Sequence, residues 1–145
     1  MANGFSDYVE GAILDFFFKR TTTPFATAPT TVYVSLHSAD PGDTGTSELS
    51  GGSYARASIT TDTNNSTNTN FNAKGTSGQA TTITNKATIT FATATGNWTA
   101  ATYFGIWDAS TSGNLLFTGT ITGGVTVANG NTLSLIDGNI TISID

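Results

Sequence analysis

The sequence predicts a mainly β protein: a single antiparallel β-sandwich, or a barrel-like relative of it, of about eight strands, with one N-terminal α-helix and an extended arm ahead of it. Three observations carry that expectation. From Thr31 onward apolar and polar residues alternate with period two. Threonine, whose branched side chain suits a half-buried pleated surface, makes up about a fifth of the 145 residues. Turn dipeptides such as Asn129-Gly130 and Asp137-Gly138 interrupt the alternating runs at short intervals.

Residues 6–19 form the predicted helix, because Phe5, Val9, Ala12, Ile13, Phe16 and Phe17 recur at spacings of three and four and so gather on one face. Ser6 is placed to cap it, Asp7 and Glu10 stand in the first turns and Lys19 and Arg20 at the end, the charge order the helix dipole favours. Three successive phenylalanines, Phe16 to Phe18, overfill that face, so the helix either closes one end of its own sandwich or serves as an anchoring arm. Residues 21–30, TTTPFATAPT, carry two prolines and no period, which makes them an extended connection. The organisation expected is therefore a helix and arm over 1–30 and one β domain over 31–145.

Within that domain the strands fall at TVYVSL (31–36), YARASI (54–59), TITNKATITF (82–91), TYFGIWD (102–108), NLLFTGTI (114–121), VTVA (125–128), NTLSLI (131–136) and NITISI (139–144). PGDTG at 41–45 and SGG at 50–52 supply further turns. The Asn- and Thr-rich stretch from 60 to 82 is polar, almost without aliphatic residues, and reads as a long surface loop. In FGIWDASTSGNLLFTG (104–119), Trp107 is a packing anchor, and Asp108 is expected to accept hydrogen bonds from turn amides at Ser110 or Thr111.

Composition excludes several functions. Charged residues make up only 10 % of the chain and the net charge is −5, with five Lys plus Arg, so too little positive charge is present to bind nucleic acid or an acidic membrane surface. Without cysteine there is no disulfide framework, thiolate metal site or Cys nucleophile. The N-terminal apolar patch is interrupted by Asp7, Glu10 and Asp15, which makes it neither a signal peptide nor a membrane span.

Candidate chemistry gives way to structural readings. His37 is the only histidine, with Ser35, Ser38 and Asp40 close by in sequence, but the members of a Ser-His-Asp triad converge from separate segments. Asp40, Asp43 and Glu48 do not follow the calcium-loop spacing. Glu10, Asp15, Asp62, Asp108 and Asp137 lie on a helix, in loops and in turns that mark no glycosidase cleft. No catalytic residue, cofactor or metal is expected. Trp98 and Trp107, with Phe91, Tyr103, Phe104 and Phe117, are read as core rather than as a sugar-stacking platform, and Trp98, beside Gly96 and Asn97 in a turn, is the one more open to exposure and so the candidate ligand aromatic.

The blocks FSDYVEGAILDFFF, TVYVSLHSADPGDTGT, SGGSYAR, ITFATATGNW, FGIWDASTSGNLLFTGTIT and GNITISID, in that order, resemble a family of small proteins encoded in the structural-gene regions of tailed bacteriophages and prophages, tail-fibre-like or capsid-associated. The resemblance implies a non-enzymatic virion structural protein. The expected role is a capsid decoration (cement) protein on the outer surface of the head shell. The alternative is a tail component: a fibre, a baseplate part, or a receptor- or carbohydrate-binding module. Decoration is favoured because the chain shows no heptads, repeats or stalk. The expected partners are the major capsid protein or other virion proteins and sister copies in a homo-oligomer, joined through Phe5, Tyr8, Phe16, Phe17, Phe18 and Phe25.

Overall fold

A computed structural model describes residues 4–19, 28–62, 69–78 and 80–144. Among the described residues, ten strands run in the order β1 (Gly4–Phe5), β2 (Thr31–His37), β3 (Ala57–Thr60), β4 (Gly75–Ser77), β5 (Ala80–Thr84), β6 (Ile89–Thr90), β7 (Trp98–Trp107), β8 (Leu115–Val127), β9 (Ser134–Leu135) and β10 (Thr141–Ile144). They build a five-stranded sheet in the order β1-β8-β7-β2-β3, a three-stranded sheet β10-β5-β4 and a two-stranded sheet β6-β9. Every pairing is antiparallel and no sheet closes into a barrel. The mainly β fold with a helix at its N-terminus is the one the alternation predicts.

Period two fixes which side of the large sheet is core. Val32, Val34 and Leu36 on β2 pair with or adjoin Ile59 and Ala57 on β3 and Ile106 and Phe104 on β7. All seven are buried in one cluster that Ile89, Leu135 and Ile140 from the smaller sheets complete. The hairpin of β7 and β8 is the longest ladder. Its register slips at the far end, where Ala101 faces Val125 but Tyr103 faces Thr120. The extra residues form a bulge at Ile121 to Gly124 whose two glycines have φ of +79° and +64°, so two runs predicted as separate strands are one bent strand.

Other departures have local causes. The predicted strand 82–91 breaks at Asn85, which turns into the core instead of continuing the ladder. Fully buried, its side-chain amide donates to Ala87 O (3.0 Å) and Ile136 O (2.9 Å), while its Oδ1 accepts from the Ile140 amide (2.9 Å). The loop predicted over 60–82 contains β4 and the start of β5, and its base is tied by Asp62, whose carboxylate accepts from the amides of Thr69, Asn70 and Phe71 at 3.0–3.1 Å. Although desolvation works the other way, these donors lower the Asp62 pKa.

The helix is shorter than predicted: α1 spans Asp7–Leu14, and a π-helical turn, Asp15–Lys19, follows. Ser6 does stand at the N-cap, but its hydroxyl donates to the Leu115 carbonyl of β8 rather than to the helix. That bond, the two-residue β1 ladder and the buried Val9 and Ala12 dock the helix on its own sheet. Successive helical residues step by about 100°, so three phenylalanines in a row cannot share one buried stripe. No described helix is long and apolar enough to cross a membrane.

Asn85 ties three segments with one side chain, so Asn85→Ala takes the side-chain partner from the buried Ile140 amide and the Ala87 carbonyl, while the Ile136 carbonyl keeps only the Asn139 amide. Urea unfolding followed by tryptophan fluorescence should show a loss of roughly 3 kcal/mol; an unchanged midpoint would mean those groups are not sealed.

Candidate functional site

The face of the large sheet opposite the core carries Tyr33, Ser35 and His37 of β2, beside Trp107, Gly105 and Tyr103 of β7. Alternation alone assigns such a face to solvent. Instead loop 38–48 folds back over it, and Ser35 and His37 are both 0 % exposed. The Trp107 indole N–H donates to Ser35 Oγ at 2.7 Å, and Ser35 Oγ lies 2.7 Å from His37 Nε2. On the other side of the ring, His37 Nδ1 lies 2.7 Å from the Thr46 carbonyl. A carbonyl can only accept, so Nδ1 carries the proton, Nε2 is the acceptor, and the Ser35 hydroxyl donates to it. Residue 105 is glycine because Ser35 Oγ and His37 Nε2 occupy the space a Cβ would need, at 2.7 and 3.1 Å.

A second cluster locks the same corner. Glu48, bridged to His37 across the strands, receives Arg56 in a two-pronged ion pair, Nε to Oε1 at 2.9 Å and Nη2 to Oε2 at 2.8 Å. Arg56 Nη1 donates to the carbonyls of Ala109 (3.1 Å) and Ser112 (2.8 Å), and the guanidinium lies 3.6 Å from the centroid of the Trp107 ring. The Tyr54 hydroxyl accepts from the Leu36 amide at 2.8 Å and donates to Glu48 Oε1. Burial, above all, holds its phenol well above the usual range. LHSADPG, SGGSYAR and FGIWDA thus meet at one place. The hairpin turn they clamp is closed by Asp108, which accepts from the backbone and side chain of Asn114 at 2.7 Å rather than from Ser110 or Thr111.

The Ser35–His37 pair is sealed and internally satisfied, while the Glu48–Arg56 clamp reaches the surface, with the Glu48 side chain 23 % exposed. Ser35 and His37 meet, yet no carboxylate orients the imidazole and no cleft reaches the hydroxyl. Asp40 accepts from the Gly42 amide and Glu48 is committed to Arg56. Among the described residues, no group of three or more His, Asp and Glu side chains could hold a metal ion.

The residues expected to make contacts separate into two sets. Phe5 is half-buried against Phe117 at 5.2 Å, and Tyr8 is half-buried, with burial and the nearby Asp108 carboxylate raising its pKa. Phe16, Phe17 and Phe18 are 58, 68 and 79 % exposed, and Leu14 beside them is exposed too. Phe25 lies outside the described residues. Trp98 corrects the sequence expectation: it is 5 % exposed, packed edge-on against Tyr54 and Phe91, with its N–H donating to Gly52 O at 2.9 Å. The turn before it is at the surface, but β7 begins at Trp98 itself and directs the ring inward.

One open groove, about 600 Å³, runs between the β8 bulge and β9–β10. Its floor is Phe104, Leu135 and Ile140, its walls include Thr122, Asn139, Thr141 and Ser143, and none of its lining side chains is ionisable. Alternation does not reveal it, because it forms where the β8 bulge faces β9 and β10.

The family described as Podophage GP4 fiber I protein gp80 matches this chain over residues 4–143. No curated protein matches it.

Arg56→Lys keeps the charge but cannot reproduce the fork to Glu48, the two carbonyl bonds and the stacking together. A loss of roughly 2 kcal/mol in thermal or urea unfolding is expected, with faster amide exchange in residues 109–113; unchanged exchange there would refute the clamp.

Proposed function

The chain belongs to the family of podophage fibre proteins, structural components of the virion, and from that premise we propose that it is a subunit of the tail-fibre apparatus. The observation that carries the reading is the family match over nearly the whole chain. The fibre description favours the tail over the expected decoration of the head shell. The absence of heptads or a stalk, which pointed to the shell, is met if this compact β body is one globular module of the fibre rather than its shaft.

The apolar projection formed by Leu14, Phe16, Phe17 and Phe18 is the contact by which the module joins other virion proteins or sister copies. Phe5 and Tyr8 contribute less, since both already pack in their own fold. Each contact is small, and a symmetric assembly multiplies it.

Two measurements test this. Quantitative mass spectrometry of purified particles should find at most a few dozen copies of the chain, whereas on the order of hundreds would restore the shell reading. Replacing Phe16, Phe17 and Phe18 together with serine should lower incorporation at least tenfold while the unincorporated chain stays folded; full incorporation of the triple variant would remove these residues from the contact.

A receptor-binding role is the second reading, and the uncharged groove favours it. Hydroxyl and amide groups over an apolar floor suit a neutral saccharide, which offers hydroxyls on its rim and C–H faces to the floor. Thr141→Trp, which fills the groove from an exposed position, should slow adsorption to host cells without lowering particle yield. Unaltered adsorption would leave the module with a purely structural role.

A further inference from the structure

His37 is the single imidazole of the chain, and it holds loop 38–48 onto the sheet from a position with no contact to water. We propose that it is the bolt of an acid-opened latch: in mild acid the loop lifts off the outer face of the large sheet and lets go of the Glu48–Arg56 clamp on the β7–β8 turn. The inference does not depend on the fibre reading.

The geometry of the closed state admits a neutral ring well and a charged ring poorly. The Thr46 carbonyl takes the Nδ1 proton, and Nε2 takes the Ser35 hydroxyl proton, both at 2.7 Å. A second proton on Nε2 would point at that hydroxyl. Ser35, still accepting from Trp107, would have to turn its own proton to the Gly105 carbonyl at 3.3 Å, a longer bond, while the cation stayed sealed from water. Two charged side chains act on the ring: the Glu48 carboxylate favours its charge and the Arg56 guanidinium opposes it. Glu48 already spends both oxygens on Arg56, so burial decides, and it lowers the His37 pKa in the closed state.

Opening reverses each of these terms. The loop crosses the face through the Thr46 carbonyl and through Gly45, where a Cβ would overlap the Trp107 ring, so lifting it exposes His37 to water. The exposed ring regains the ordinary histidine pKa of 6.5. Below that value the open state binds more protons than the closed one, and closure weakens as pH falls, by up to about tenfold per unit until the lowered pKa is reached. Above it both states are neutral and the latch keeps its full strength. Because Glu48 is the last residue of the loop and holds Arg56, the movement reaches the guanidinium and through it the carbonyls of Ala109 and Ser112.

Hydrogen–deuterium exchange of the full chain, corrected for intrinsic rates, tests the latch between about pH 7.5 and about pH 5. Protection of residues 38–48 and 109–113 should fall by up to about tenfold per unit in the acid half of that range, while residues 89–91 and 133–135 keep theirs. His37→Gln should flatten the pH dependence of both segments. If that variant does not fold, an NMR titration of the wild-type imidazole decides: titration below 6.5 supports the latch, and titration at or above 6.5 overturns it. Constant protection of residues 38–48, or loss of protection everywhere at once, also overturns it.

Discussion

The hydrogen-bond chain from the Trp107 indole through Ser35 and His37 to the Thr46 carbonyl is the constraint on which one whole side of the molecule depends. Each group in it has one role it can play, given the carbonyl at one end and the indole N–H at the other, so the loop that supplies Thr46 has one place to sit. That placement puts Glu48 beside Arg56, Arg56 beneath the turn carbonyls and its guanidinium on Trp107, so the contacts close into a circuit on the indole. A sheet face that alternation would leave wet becomes a second, smaller interior. Among buried side chains of the described residues, none is left with an unpaired nitrogen or oxygen, as such an interior requires.

On the opposite side Asn85 has the corresponding role. Its amide gathers the carbonyls after β5 and around β9 and fixes the Ile140 amide before β10, so two small sheets that bury little by themselves are held to the core of the large one. With only 10 % charged residues, the chain uses amides and hydroxyls where other proteins use ion pairs. Neutral bonds are unaffected by salt, but each must be sealed and aligned to contribute, which is why both hubs are fully buried.

The large-scale architecture was legible because period two and the turn glycines act locally: β2, β7 and β10, and the turns at Gly130 and Gly138, follow from a few adjacent residues. What was not legible depends on residues distant in sequence. β1 exists because two residues find the edge of β8, and Trp98 is buried because Tyr54, Phe91 and Gly52 surround it. The strand through Asn85 breaks because a buried amide satisfies more partners than a ladder position would. Phe16 to Phe18 are an intermediate case. The triplet is too wide for one helical face, which was visible at once, while the side of the helix left bare is decided only by Val9 and Ala12 docking on the sheet.

These features constrain how such a module can recognise anything. A net charge of −5 on a surface with few charges gives little long-range steering, so encounter with a partner is governed by diffusion and by short-range fit. On the proposed reading, specificity has two sources on this molecule. One is the apolar projection at the end of the helix, whose contact strengthens as water is excluded and is indifferent to ionic strength. The other is the uncharged groove, where a bound ligand would be selected by hydrogen-bond geometry rather than by charge. The two lie on elements joined through β8, which receives β1 and the Ser6 hydroxyl at one end and bulges to form the groove wall at the other. Their relative orientation is therefore set along one strand, by the bend at Gly123 and Gly124, and on the fibre reading a module held through its helix would present the groove in a direction fixed by that bend.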